Sequence, residues 1–300
     1  MFRDFETYLH SQKDHSPHTI KAYLSDLRQL ARWFEETNGE KLTPVALTRT
    51  DLRQYRHYML NVKGLSANTI NRRLASISAY LNWAREKGLV EINPAEKVNG
   101  IKEQPVAPKW LSKKEESALV SQAEKEHQLA SLGSDTAKLR GVRNWALVVF
   151  LLHTGLRASE VCSLRLENLA INTRSGSVQV VGKGAKQRTV PLNKEAREAI
   201  NQWLDARSDC DHDTVFVGQR LTPLSTSALR RVISEVSYQA KLEDVSPHTL
   251  RHTFGKRLVD SGVSLEKVAA LMGHANLNTT KIYTTPSQRD LEKAVKVLEY

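Results

Sequence analysis

A chain of 300 residues is long for one compact domain and comfortable for two, and its 40% hydrophobic content can bury real cores, which excludes a disordered tail. The 44 basic residues against 33 acidic ones leave a net charge of +11 and a pI near 9.6, so the partner to look for is a polyanion: nucleic acid or an anionic membrane. No basic amphipathic anchor is evident, "MFRDFETYLH" lacks the apolar segment of a signal peptide, and the most apolar run, "WALVVFLL" (145–152), falls far short of the ~20 residues that span a bilayer, which favours nucleic acid.

The first hundred residues read as helical. In "SPHTIKAYLSDLRQLARWFEE" the apolar positions Ile20, Leu24, Leu27, Ala31 and Phe34 recur at helical spacing, with Ser16 as the expected N-cap and Pro17 at the first helical position. A helix over 51–62 follows. "SANTINRRLASISAYLNWAREKG" repeats the rhythm at Ile70, Leu74, Ile77, Leu81 and Ala84 until Gly88 stops it. The polar faces carry Lys21, Arg28 and Arg32, then Asn71, Arg72 and Arg73, which are either solvated or in contact with phosphate. "GIKEQPVAPKW" has little periodicity and two prolines, so 100–109 is the expected linker between domains 1–99 and 110–300.

Ser112 then opens a helix, a polar connector occupies 130–137, and an apolar helix ends at His153. Between 168 and 192 the period shortens. Two β-rich runs, 178–181 and 188–192, flank a turn with glycine and lysine, which predicts a hairpin. Helical pattern resumes, including 224–239 with Arg230 and Arg231, and breaks at 218–223 and Gly262. The last helix, 287–299, aligns Leu291, Ala294, Val295 and Leu298 on a stripe that must dock on its own domain or on a neighbouring protomer. The expected fold is mainly α with a small antiparallel β-sheet, in two domains.

Four segments hold residues suited to chemistry. "TGLRASE" places Arg157 at a loop–helix junction. "GKGAKQR" approaches a phosphate loop, but the glycine spacing is wrong, Gly184 stands where Ser or Thr is needed and the context is strand–turn–strand, so a nucleotide site is rejected; Lys183 on such a turn can still reach a bound ligand. In "SPHTLRHTF", His248 and His252 have the spacing of a helical zinc pair. Thr249 replaces the glutamate a metalloprotease needs, and Arg251 would repel a cation, so no metal is expected. His248 and Arg251 near a helix N-terminus suit an anion instead. "GHANLNTTKIYTT" offers His274 and Tyr283 among polar residues, with only Leu277 and Ile282 as local apolar partners, a setting for a tyrosine that must reach something polar.

In this order, "TGLRASE", "GKGAKQR", "PHTLRH", "LMGH" and "TTKIYT" resemble the motif series of the tyrosine recombinases, in their Xer-type and integrase branch. The resemblance covers essentially the whole chain, the helical N-terminal part being similar to the family's core-binding domain. It implies a two-domain DNA clamp that cuts and rejoins duplex DNA by transesterification through a 3′-phosphotyrosyl intermediate. By position, it makes Arg157 and Arg251 the catalytic arginines, Glu160 their supporting acid and Lys183 the hairpin lysine. His248 and His274 become the two histidines and Tyr283 the nucleophile. No cofactor is implied. It further implies a cytoplasmic, nucleoid-associated protein, a homotetramer on a double-stranded recombination site, the last helix docked in trans, and a second recombinase or accessory protein as a further partner. The connector at 130–137 looks longer than the family pattern. DNA reading is expected from Lys21, Arg28, Asn71, Arg72, Arg73, Arg230 and Arg231. A relaxing topoisomerase with the same tyrosine chemistry and a catalytically silent DNA-binding protein are the alternative readings. The two cysteines, Cys162 and Cys210, form no C-x-x-C and fit a reducing cytosol.

Overall fold

The computed structural model describes residues 2–12, 17–102, 108–182, 187–207, 210–218, 220–274, 276–284 and 295. They belong to two compact units, Met1–Val106 and Ala107–Tyr300. The expected cap Ser16, the hairpin lysine Lys183 and the C-terminal helix with its trans docking lie outside the described residues.

The first unit contains helices α1 (Arg3–Ser11), α2 (Pro17–Asn38), α3 (Arg49–His57) and α4 (Ala67–Glu86). The periodic positions of α2 and α4 are the ones that pack: Ile20, Leu24, Leu27 and Phe34 meet Ile70, Leu74, Ile77, Leu81 and Ala84 in one core, which Phe5, Leu52 and Met59 complete. Truncating such a side chain, Ile77 for example, costs about 2–5 kcal/mol. The third helix starts earlier than its apolar pattern suggests. Thr48 Oγ1 accepts from the Asp51 amide at 3.2 Å, and Asp51 Oδ2 accepts from the Thr48 amide at 2.8 Å, a reciprocal cap that fixes the start. Its tail, Tyr58–Val62, widens into a π-turn.

Two polar contacts in this unit bear on the expected DNA face. Asn71 donates to the Ile101 carbonyl at 2.9 Å and accepts from the Ile101 amide at 2.7 Å, so its amide pins the segment after α4. Asp26 lies buried on α2, where it binds the Arg72 guanidinium, accepts from Ser76 Oγ at 2.9 Å and faces Arg73 Nε at 3.8 Å. Arg72 and Arg73 therefore neutralise an interior carboxylate. Lys21 and Arg28 remain exposed.

The second unit opens with α5 (Lys113–Ser131), capped reciprocally by Ser112 and Glu115, and α6 (Asp135–Thr154). The connector expected over 130–137 is confined to Leu132–Ser134. Ser134 caps α6 by accepting from the Ala137 amide at 3.3 Å, so most of that polar stretch is helix. Then come α7 (Ala158–Cys162), the strands β1 (Leu169–Ile171), β2 (Gly176–Val181) and β3 (Gln187–Pro191), and the helices α8 (Lys194–Ala206), α9 (Thr226–Gln239), α10 (Pro247–Asp260), α11 (Leu265–Met272) and α12 (Asn278–Lys281). The sheet is antiparallel in the order β1–β2–β3, and the third strand, β1, is too short to announce itself by alternation. The register pairs Val178 with Val190 and Val180 with Arg188, so Arg188 shares the inward face with buried valines. Helix α6 is apolar almost all round because it is the centre of this core, buried from Ala146 to Leu152.

Candidate active site

The site is assembled where α6 ends and α11 ends. Thr154 closes α6, and Gly155 follows with φ +60°, the left-handed turn that favours glycine. A Cβ there would sit 2.2 Å from the Phe254 ring. This turn presents the Gly155 carbonyl to Arg251 Nη1 at 2.5 Å and starts α7 with Arg157 at its N-cap. Helix α11 ends the same way, at Gly273 with φ +65°. Its last carbonyls are the negative end of a helix and have no intrahelical donors. Three successive ones are each met by a different arginine. Leu271 accepts from Arg188 Nε at 2.9 Å, Met272 from Arg251 Nη2 at 2.6 Å and Gly273 from Arg157 Nη2 at 2.9 Å.

Glu160 locks two of these arginines together. Its carboxylate accepts from Arg188 Nη1 at 2.8 Å and Nη2 at 2.7 Å, from Arg157 Nη1 at 2.8 Å and from the Arg157 amide at 2.8 Å. Burial by itself would raise this acid. The hydrogen bonds from Arg188 and the Arg157 amide, with the Arg188 charge, outweigh it and hold the carboxyl at about 2. Arg251 is 4% exposed, and burial, then the Arg157 charge, bring it down to about 10, so it stays cationic at neutral pH. The Arg157 side chain is 35% exposed and can meet an incoming anion. A guanidinium has more N–H donors than the two that Arg157 and Arg251 each spend on the carbonyls and carboxylate named here.

Three histidines and the tyrosine complete the cluster. His248 is exposed on the first turn of α10, where Ser246 caps the helix and Pro247 takes the first position. Desolvation, then Arg251, Arg230 and Arg157, lower it. His274 Nδ1 bonds Thr280 Oγ1 at 2.9 Å, and burial, then Arg251 and Arg157, push it down to about 4. Tyr283 is fully buried. Its ring packs with Val268 and Met272, lies over Gly255 and is nearly parallel to His274 at 6.5 Å between centroids. Its hydroxyl bonds His252 Nδ1 at 2.9 Å. Burial pushes the phenol up to about 12, against the pull of Arg251. The polar setting expected for Tyr283 is thus corrected: its apolar partners come from α10 and α11, distant in sequence, and its neighbours in sequence do not show them.

The sequence pattern of the phage integrase family matches residues 109–289, and that of the family's N-terminal SAM-like domain matches residues 2–88. The tyrosine recombinase XerC of Thermodesulfovibrio yellowstonii is 30% identical over 99% of this chain and 94% of its own length, and that of Bacillus subtilis is 31% identical over 96% and 92%. The chain belongs to the phage integrase family. Among solved structures, the XerH site-specific recombinase in its post-cleavage complex with a palindromic difH substrate superposes with a TM-score of 0.73 at 19% identity, covering 99% of this chain and 94% of that one.

Within this tyrosine recombinase, Arg157, Glu160, Arg251, His274 and Tyr283 meet in one place, linked by the contacts above. His248 is next to Arg251 and Arg230 electrostatically, and Arg230 and Arg231 are exposed on α9. Lys183 is outside the described residues, between strands β2 and β3. Two members of the cluster were not singled out by sequence. Arg188 had a signal in the two-residue alternation that sets it with Val190. His252 appeared only as half of a rejected zinc pair, although it lies one turn from His248 on α10.

Proposed function

We propose that this integrase-family protein is a site-specific recombinase in which Tyr283 attacks a backbone phosphorus of duplex DNA. The Tyr283 oxygen–phosphorus bond forms, the phosphorus–O5′ bond breaks, and the products are a 3′-phosphotyrosyl link and a free 5′ hydroxyl. Attack adds charge to the non-bridging oxygens, and Arg157 and Arg251 accept it through the N–H donors left over. His248, neutral near pH 7, takes the phenolic proton, and the ammonium of Lys183 supplies one to O5′. A second 5′ hydroxyl reverses the step on another strand, so the bond energy is retained without a cofactor.

The observation that carries this reading is the convergence of Arg157, Arg251, His274 and Tyr283, from segments as far apart as the 116 positions between Arg157 and Gly273, on one strongly cationic corner. A divalent cation would be repelled there, whereas a phosphodiester is attracted. The unit 1–99 supplies further DNA contacts, the two units act together as a clamp on one duplex, and the active assembly is a tetramer whose last helix docks on the neighbouring copy. A second recombinase or accessory protein would join at the site, in the cytoplasm. No helix among the described residues is long and apolar enough to cross a membrane.

The test uses a binding site selected from randomised duplexes and rebuilt as a nicked half-site. The full chain should form a covalent adduct on a denaturing gel, and Tyr283→Phe should form none. An adduct that persists in Tyr283→Phe removes this tyrosine from the mechanism.

A further inference from the structure

We infer that His252 is the positioning residue for the Tyr283 hydroxyl, holding the phenol one helical turn away from His248 while DNA is absent. The inference rests on Tyr283 being the nucleophile. Three observations place it. The phenol oxygen and His252 Nδ1 are 2.9 Å apart. The rings tilt at 56° with centroids 5.7 Å apart, so the bond is made from a packed imidazole. The seat beneath the phenol is cut to fit: a Cβ on Gly255 would lie 2.7 Å from Tyr283 Cζ and 2.8 Å from Met272 Sδ.

His252 and His248 lie at i, i+4 on α10, on one face of the helix. One imidazole is exposed where a phosphate can approach, and the other is about 6 Å further along the helix axis, against the buried phenol. Burial, then His248 and Arg251, keep His252 neutral at pH 7, and Tyr283 is neutral too. With the proton of the neutral ring on Nε2, the phenol donates to Nδ1. The phenol must give up this bond before it attacks, and a move of one turn exchanges His252 for His248.

The experiment compares His252→Asn, whose amide reaches the place of Nδ1, with His252→Gln, whose amide lies one bond further out. O-acetylation of Tyr283 by N-acetylimidazole in the full, DNA-free chain is followed by peptide mass spectrometry, with circular dichroism melting as a check on folding. Tyr283 in His252→Gln should be acetylated about fivefold faster than in the parent, and in His252→Asn within about twofold of it, the ratio set by one neutral hydrogen bond. First-turnover adduct formation on the nicked half-site should rise in the same order. Equal acetylation in the parent and His252→Gln, or equal effects of Asn and Gln, overturns the inference. So does a freed phenol that forms adduct more slowly, because the bond would then serve the reaction itself. The DNA-free acetylation ratio tests His252 independently of whether Tyr283→Phe still forms an adduct.

Discussion

Glu160 is where the chemistry of a single residue reaches furthest. Its carboxyl is held at about 2 against an ordinary 4.5, and Arg188 supplies the largest favourable contribution. The folded pKa is depressed, so the stabilisation is complete above the unfolded value and is lost as pH falls through the folded one. The shift corresponds to about 3 kcal/mol, at about 1.4 kcal/mol per pH unit. Urea unfolding of the parent and Glu160→Gln should therefore differ by about 3 kcal/mol at pH 7 and by less than about 1 kcal/mol near pH 2. A gap independent of pH would mean that the carboxylate is not what holds Arg188 and Arg157. Hydrogen exchange of peptides containing Val180 and Val190 locates the change, since Arg188 pairs with Val180 in the sheet and its guanidinium donates to the carboxylate.

At the scale of elements, two glycines decide how the helices meet. At Gly155 the backbone is left-handed and a Cβ would strike Phe254, so Gly155→Ala combines backbone strain with a clash and moves the carbonyl that Arg251 uses. It should lower stability by at least about 1–3 kcal/mol in urea unfolding and reduce adduct formation with it. Gly255 is different. It is mid-helix, where alanine is favoured by about 1 kcal/mol, and what its Cβ meets is the movable ends of Tyr283 and Met272. Gly255→Ala should leave the melting temperature near that of the parent while raising acetylation of Tyr283, and unchanged acetylation would show that the ring can shift without leaving. These elements also show what a sequence displays. The helices α2, α4 and α6, the hairpin and the Ser246–Pro247 cap were legible because periodicity and capping are local. Arg157, Arg251, His274 and Tyr283 stood out in the sequence as residue types suited to a phosphate, and Glu160 only through the motif resemblance; the structure brings all five into one cluster. The burial of Tyr283, the lock between Arg188 and Glu160, and the arginines on the end of α11 depend on partners far along the chain, and no local pattern encodes those.

For the molecule as a whole, the net charge of +11 suits a polyanion, but the salt response of binding counts the phosphates contacted, and not every arginine is free to make such a contact. Arg230 and Arg231 are exposed on α9, and Arg230 is close enough to lower His248. Arg72 looks equivalent in sequence, yet it is tied to buried Asp26 together with Arg73 and Ser76. Each phosphate contact released should reduce the slope of log affinity against log salt by about 0.9. Arg230→Ala and Arg231→Ala should each show that reduction on a duplex of fixed length, with the melting temperature unchanged. Arg72→Ala should instead leave Asp26 short of a partner, costing about 1–2 kcal/mol of stability with the slope nearly intact. Salt titrations paired with thermal melts of the full chain separate the two outcomes. If Arg72→Ala lowers the slope and spares the melt, then Arg73 and Ser76 suffice for Asp26, and Arg72 is free to turn outward onto phosphate when DNA is bound.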